Sequence, residues 1–318
     1  MKILIVQIGR IGDMVLTTPM FRAIGDHLPG AEIHVLTSPR GLSVISNNHR
    51  ITKIPLYRKN LLALPLLAAQ LRSQHYDVWI DPKDHSSGEG SLLASLSGAR
   101  QKIGFNKPEQ HLFDVALSSA ETNYGLHVVD RNLRALSSLI PVDPSHLNRR
   151  PELFVDHDCA VQLDPRTVVI NISAGNSSRH WPAEQWSTVI AECARLSLPV
   201  GLMFDPVDHP AAKEIAARGG NCLLLNTPTI HHAIAAVSRA AIVISPDTSV
   251  VHIAAAFNIP IIALYPRVEW NLKKFHPLSD RSAVILPDET QTFQEIPAER
   301  VIEQLRLFIA ELSVFRPA

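Results

Sequence analysis

The residues best suited to chemistry lie where an apolar run gives way to a helical one. Asp247, Thr248 and Ser249 follow the β-branched run Ile242 to Ile244, and Pro246 forces the chain out of any central strand. All three are helix N-cap types, and a helical pattern runs from Val250 until Asn258 and Pro260 stop it. A strand–turn–helix of this kind leaves hydroxyls and unpaired N–H groups at the C-terminal edge of a sheet. That edge is where open α/β sheets bind ligands, and a helix N-terminus there suits an anion such as a diphosphate. His252, five residues after Asp247, is expected to reach back to the same mouth. At any one such junction, capping is the commoner job of these residues. A second junction strengthens the functional reading: Ile3 to Ile8 is a strand pattern, Gly9-Arg10-Ile11-Gly12 a turn, and Asp13 a carboxylate at a helix start. Two glycines there let the backbone approach a ligand closely.

The elements that position these residues alternate between strand and helix patterns over the whole chain. After the Met14 to His27 helix come strands at Ile33 to Thr37, Ile51 to Leu56 and Tyr76 to Asp81. A helical segment, Leu61 to Arg72, lies between the last two, with Pro65 disturbing its first turn. The polar loop Asp81 to His85 then falls on the same edge as Asp13, and its Lys83 can meet a substrate. Ser86 to Leu96 reads as helix, Ala99 to Phe105 as a short basic strand carrying Arg100 and Lys102, and His127 to Ile140 as helix. Gly12, Lys83, Arg100 and Lys102 are the candidates for an acceptor side.

Pro141 to Pro151 contains three prolines and no apolar period, so it reads as the start of an interdomain connection, with Leu153 to Val155 able to pair with a strand. The domains are set at 1–155 and 156–318. In the second, strands are predicted at Val168 to Asn171, Val200 to Phe204, Cys222 to Leu225, Ile242 to Ile244, Ile261 to Tyr265 and, at an edge, Ala283 to Leu286. The terminal helix Ala298 to Val314 presents one apolar face and is free to pack back on the first domain. Ser173, Gly175 and Arg179 lie in the loop after the first of these strands; with Thr248, Ser249 and His252 they are donor groups suited to phosphate. One carboxylate in the first half and one anion-binding half fit transfer of a group from a phosphate-activated donor to a hydroxyl. The ligands are expected in the cleft between the halves.

Composition limits the alternatives. The 318 residues are 46% apolar and 19% charged, and the formal net charge is +0, which argues against a dedicated nucleic-acid binder. The three cysteines have no paired spacing, so neither a disulfide framework nor a zinc site is expected, and a reducing compartment is. No apolar run is long enough for a membrane span or signal core, which points to a cytosolic or peripheral protein. Arg50, Lys53, Arg58 and Lys59, with Ile51, Ile54, Leu56 and Tyr57 among them, offer a weak contact with anionic lipid.

Three stretches carry a family resemblance. Gly9 to Asp13 followed by Met14 to Pro19, then Arg179-His180-Trp181-Pro182, then Asp247 to Ala256 resemble, in order, the ADP-heptose:lipopolysaccharide heptosyltransferases, glycosyltransferase family 9. The resemblance implies the GT-B fold, two doubly wound Rossmann-like domains facing each other across a cleft. It implies an inverting transfer with no metal and no cofactor, from a nucleotide-sugar donor to lipid A–core oligosaccharide, at the cytoplasmic face of the inner membrane. By position, it makes Asp13 the base and Arg179 a contact of the donor phosphates. It places Asp247, Thr248 and His252 at the donor, Asp208 near the ribose and Pro228 near the nucleobase. The family usually has glycine where this chain has Ser249, which bears on the donor's identity. A nicotinamide dehydrogenase would need the Gly-x-Gly-x-x-Gly fingerprint that Gly9 and Gly12 do not make. A nucleotide-sugar epimerase on the same plan and a non-catalytic nucleotide-sugar binder are the remaining alternatives. Turnover with and without an acceptor separates them.

Overall fold

The computed structural model describes residues 1–109, 111–159, 161–220, 222–312 and 314, with Leu61 described by its backbone alone. The chain divides into two compact units, Met1–Glu152 with Lys273–Phe275, and Leu153–Leu272 with His276–Ala318.

In the N-terminal unit the strands are β1 (Lys2–Gln7), β2 (Glu32–Thr37), β3 (Ile51–Lys53), β4 (Val78–Ile80), β5 (Gln101–Gly104) and β6 (Val115–Ala116). They form one parallel sheet in the order β3-β2-β1-β4-β5-β6. Its helices are α1 (Ile11–Val15), α2 (Thr18–His27), α3 (Pro39–Ile45), α4 (Leu64–Arg72), α5 (Gly88–Leu96) and α6 (Val128–Arg134). The apolar run of β1 is buried at every position from Ile3 to Val6, as a central parallel strand covered on both faces requires. The single helix expected from Met14 is two. α1 ends at Val15 and α2 starts at Thr18 with Pro19 in its first turn, a position that accepts proline. The Pro65 disturbance takes the form of a 3-10 turn, Leu61–Ala63, ahead of α4. α6 stops at Arg134, six residues short of the expected Ile140.

The second unit repeats the plan. β7 (Val168–Asn171), β8 (Val200–Met203), β9 (Leu223–Leu224), β10 (Ile242–Pro246), β11 (Ile261–Leu264) and β12 (Ser282–Ile285) form a parallel sheet in the order β12-β11-β10-β7-β8-β9. The helices are α7 (Ala183–Arg195), α8 (His209–Gly219), α9 (Ile230–Ser238), α10 (Ser249–Ala256), α11 (Glu269–Phe275) and α12 (Ala298–Glu311). α12 lays Val301, Leu305 and Phe308 into the core beneath α7, and Arg306 of α12 and Arg195 hold Glu192 of α7 between them. Those two guanidiniums pull the Glu192 carboxyl down to about 2, the Arg195 hydrogen bonds contributing most. α12 ends at Glu311, and Ser313 of the expected helix lies outside the described residues. Leu153 to Val155 join no strand.

Both sheets have the doubly wound order 3-2-1-4-5-6 when each is counted from its own first strand. In such a sheet the connections leave opposite faces on either side of the first and fourth strands. A crevice therefore opens at their C-terminal ends. In the N-terminal unit those strands are β1 and β4, and in the other β7 and β10.

Candidate active site

In the N-terminal unit, the loop after β1 is tied down by side chains at the strand's own end. Gln7 accepts from Gly9 N–H through Oε1 at 3.0 Å and donates through Nε2 to Thr17 Oγ1 at 3.1 Å. Thr17 in turn donates to the Asp13 carbonyl at 2.7 Å. Asn132 of α6 reaches the Leu16 carbonyl at 3.2 Å. These bonds, two of them fully buried, fix α1, a helix too short to hold itself. Asp13 stands half-buried on its first turn, and its Oδ2 accepts from Arg10 N–H at 3.1 Å. The capping expectation for Asp13 is therefore met by one oxygen. Among the described residues, no hydrogen bond occupies Oδ1.

Gly9 faces this carboxylate closely. A Cβ at position 9 would lie 2.8 Å from both Asp13 Oδ2 and Gln7 Oε1. Gly9→Ala is therefore expected to swing the Asp13 carboxylate and lower kcat about tenfold, since displacing a reacting group by about 1 Å can cost up to 10²-fold. Melting temperature should barely move. Unchanged kcat in Gly9→Ala would show that the carboxylate's placement is not critical.

Beyond β4, Asp81 and Asp84 are buried and Lys83 half-buried. Burial pushes the Asp81 carboxyl up. Burial would do the same to Asp84, but Arg131 of α6 and the His85 ring, 3.4 and 3.2 Å from its Oδ1, hold it below the ordinary range. Asp13, Gly12 and Lys83 thus share one edge of the sheet. Arg100 and Lys102 do not belong with them. Arg100 pairs with Asp77 at 3.0 Å, ahead of β4, and Lys102 sits at the start of β5 with its ammonium on the Ala99 carbonyl. Both residues precede or begin their strand, and in a parallel sheet strand starts lie at the edge opposite the ligand edge.

In the second unit, the polar groups converge at the ends of β7 and β10. Arg179 donates to the Asp247 carbonyl at 2.8 Å and lies 3.0 Å from its carboxylate Oδ2. Asn271 of α11 donates to the same Oδ2 at 2.7 Å. Thr248 caps α10, accepting from Val250 N–H, and Ser249 is that helix's first residue. Asn171, the last residue of β7, donates to the Ser173 carbonyl and Ser245 Oγ, each at 3.0 Å. Ser173 donates to Asp208 at 2.5 Å and accepts from Asp205 N–H. This ties the loop after β7 to the loop after β8. Gly175 is exposed with open space around its Cα, and Pro228 is exposed in the loop after β9.

The segment carrying Arg179 is anchored by its tryptophan. Trp181 is buried, donates its indole N–H to the Ile296 carbonyl at 2.9 Å, and meets Trp186 edge-on with centroids 4.6 Å apart. Truncating a buried Trp typically costs about 3–5 kcal/mol, so this loop is firmly placed.

His252 lies three residues beyond Ser249 on α10. It is buried, and desolvation with the nearby His276 pulls its ring down to about 4. A ring that is neutral at physiological pH supplies no charge to a diphosphate.

Taken along the sheet, Arg179, Asp247 and Thr248 lie at β7 and β10, Asp208 follows β8, and Pro228 follows β9. From β10 to β9 is three strand spacings, about 14 Å at roughly 4.8 Å each. That is the reach of a nucleoside diphosphate laid across the strand ends. Gln7, Thr17, Asn132, Asn171, Ser245 and Asn271 were not singled out in the sequence. Three of them, Gln7, Asn171 and Ser245, interrupt or end apolar strands, and that was the available signal.

A sequence profile described as glycosyltransferase family 9 (heptosyltransferase) matches residues 66–303, most of the chain. This protein belongs to glycosyltransferase family 9. As a family 9 glycosyltransferase, it moves a sugar from a nucleotide-sugar donor to an acceptor. It is 26% identical to lipopolysaccharide heptosyltransferase 3 of Escherichia coli K12 over 282 residues, 80% of this chain and 79% of that protein. Its fold is that of the crystal structure of a family 9 glycosyltransferase from Veillonella parvula, with a TM-score of 0.85 at 18% identity over 98% of both chains. It also matches the E. coli ADP-heptose LPS heptosyltransferase II, with a TM-score of 0.79 at 20% identity over 97% of this chain and 98% of that one. The two doubly wound units are therefore those of a GT-B glycosyltransferase.

Proposed function

We propose that this family 9 glycosyltransferase transfers a heptose, with inversion, from ADP-heptose to a hydroxyl of the lipopolysaccharide core or a similar surface glycan. The observation that carries the reading is the Arg179 guanidinium fixed on Asp247 beside the N-terminus of α10. That arrangement offers a permanent positive charge and helix N–H groups to the departing diphosphate. The names of its relatives, among them heptosyltransferase 3 and the ADP-heptose enzyme, support the choice of sugar and nucleotide.

In this reading the donor lies on the second unit, with its phosphates at Arg179, Thr248 and Ser249. Asp208 takes the ribose and the loop at Pro228 the adenine. Asp13 of the N-terminal unit removes the acceptor proton as the new glycosidic bond forms, and Gly12 leaves room for the acceptor beside it. Ser249 adds a hydroxyl at the helix start. The side chains at the phosphates supply the charge stabilisation that a divalent cation would otherwise bring, so the transfer is read as metal-independent.

A thermal-shift panel of ADP-, GDP- and UDP-sugars with and without EDTA tests this. A ligand present at 100 times its Kd stabilises by about 2.7 kcal/mol, so the true donor class should stand out. ADP-heptose is expected to give the largest shift, and turnover to survive the chelator. A shift confined to another nucleotide, or activity lost to EDTA and restored by magnesium, overturns the corresponding part.

A further inference from the structure

α1 is five residues long, so the aim of the Asp13 carboxylate depends on what grips the helix from outside. One grip comes from α6, which is itself well anchored. Val128, Val129 and Leu133 of α6 are buried, and His127 caps it by accepting from Val129 N–H at 3.1 Å.

A series of polar groups runs from the loop after β4 through α6 to α1. Buried Asp84 lies 3.4 Å from Arg131 Nη1. The same guanidinium donates through Nε and Nη2 to Asn132 Oδ1, at 3.3 and 2.9 Å. Asn132 Nδ2 donates to the carbonyl of Leu16, the C-cap of α1, at 3.2 Å, and reaches Thr17 Oγ1 at 3.5 Å. Thr17 Oγ1 accepts from Gln7 as well, and donates to the Asp13 carbonyl. One donor and two lone pairs are all that a hydroxyl has, so Thr17 is fully engaged.

The order of charges gives the series a sense. An asparagine amide has nearly the same shape either way round, with oxygen on one side and NH2 on the other. A guanidinium carries donors only, so Arg131 draws the oxygen of Asn132 to itself and leaves the NH2 for the Leu16 carbonyl. With the amide turned over, two oxygens would meet at the end of α1. Asn132 is fully buried, where such an unmatched pair is costly. Asp84 engages the corner of the guanidinium that Asn132 leaves over.

We propose that Arg131 and Asn132 are positioning residues for Asp13: Asp84 fixes the guanidinium, the guanidinium fixes the sense of the Asn132 amide, and the amide fixes the end of α1. This rests on the reading of Asp13 as the base and extends it to residues 118 and 119 positions away in sequence. Their share in the reaction is the placement of the carboxylate. A reacting group displaced by about 1 Å can cost up to 10²-fold, and the loss should fall on kcat.

The test measures kcat and donor KM of the full chain with ADP-heptose and a deacylated lipopolysaccharide core. Asn132→Leu removes both ends of the amide at similar volume and should lower kcat about tenfold, with donor KM within about twofold of wild type. Arg131→Lys keeps a positive charge for Asp84 but replaces the planar fork with one ammonium, which cannot hold Asn132 Oδ1 by two N–H groups. It should lower kcat by about three- to tenfold, and it carries the test if Asn132→Leu does not fold. Each change is then repeated in Asp13→Asn. An amide at position 13 takes no proton wherever it stands, so there the second change should lower kcat by less than about twofold. A merely structural role would lower it by the same factor in both backgrounds. Equal factors, or unchanged kcat in folded Asn132→Leu or in Arg131→Lys, overturn the proposal and leave the base in place. Near-normal turnover of Asp13→Asn alone removes the base, and the proposal with it.

Discussion

Asp13→Asn is expected to lower turnover by about 10²-fold or more while the donor KM and the melting temperature stay near wild type. The magnitude is the usual range for removing a general base, about 10²–10⁴-fold. The separation of readouts follows from the geometry. Asp13 Oδ2 is occupied by Arg10 N–H at 3.1 Å, a bond that an asparagine carbonyl oxygen can still accept. Asparagine therefore preserves the turn and removes only basicity. If Asp13 served as a cap and nothing else, Asp13→Asn would turn over normally. The donor site proposed above comprises residues 171–179, 205–208, 245–249 and 271, none of which touches Asp13 through a hydrogen bond, so donor affinity should be unchanged. A folded Asp13→Asn protein with near-normal turnover would mean that another group takes the acceptor proton.

The parts of this site that could be read from the sequence are those set by short-range rules. β1 with its turn and β10 with its turn are apolar runs ended by glycine or proline and followed by cap residues. Local propensity and burial agree there, so Asp13, Asp247, Thr248 and Ser249 fall at strand C-termini as expected. The strand order was legible only as a class. Which strands become neighbours depends on crossover packing that no local pattern encodes. Arg100 and Lys102 show the consequence, since alternating charge on a short strand says nothing about which end of the sheet receives it. The burial of His252 was hidden for a similar reason. Its place one turn into α10 was clear, but which face of that helix is covered depends on the whole unit. The polar supports of Asp13 and Asp247, Asn132 and Asn271, arrive from 119 and 24 residues away in sequence, so only the folded chain reveals them.

Arg179→Gln should have two separable effects, one on stability and one on the donor. Asp247 is buried, with Arg179 3.0 Å from Oδ2 and Asn271 donating to the same oxygen. Removing the guanidinium leaves a buried carboxylate without its counter-charge. Breaking such a pair from one side typically costs about 3–5 kcal/mol. Arg179 itself is a quarter exposed, so solvent screening favours the lower end, about 3 kcal/mol. For a unit of the size of Leu153–Leu272 with His276–Ala318 that is a fall in its melting temperature of roughly 6–12 °C. Donor KM should rise about 100-fold, consistent with losing two charge-assisted bonds of roughly 1.5 kcal/mol each to the diphosphate. The two effects part company in Arg179→Gln/Asp247→Asn. With both charges gone, no unpaired ion remains buried, and most of the lost melting temperature should return. Donor affinity should not return, because neither amide carries positive charge. If the double variant regains the donor along with its stability, Arg179 only supports Asp247. If it regains stability alone, the guanidinium itself holds the phosphates.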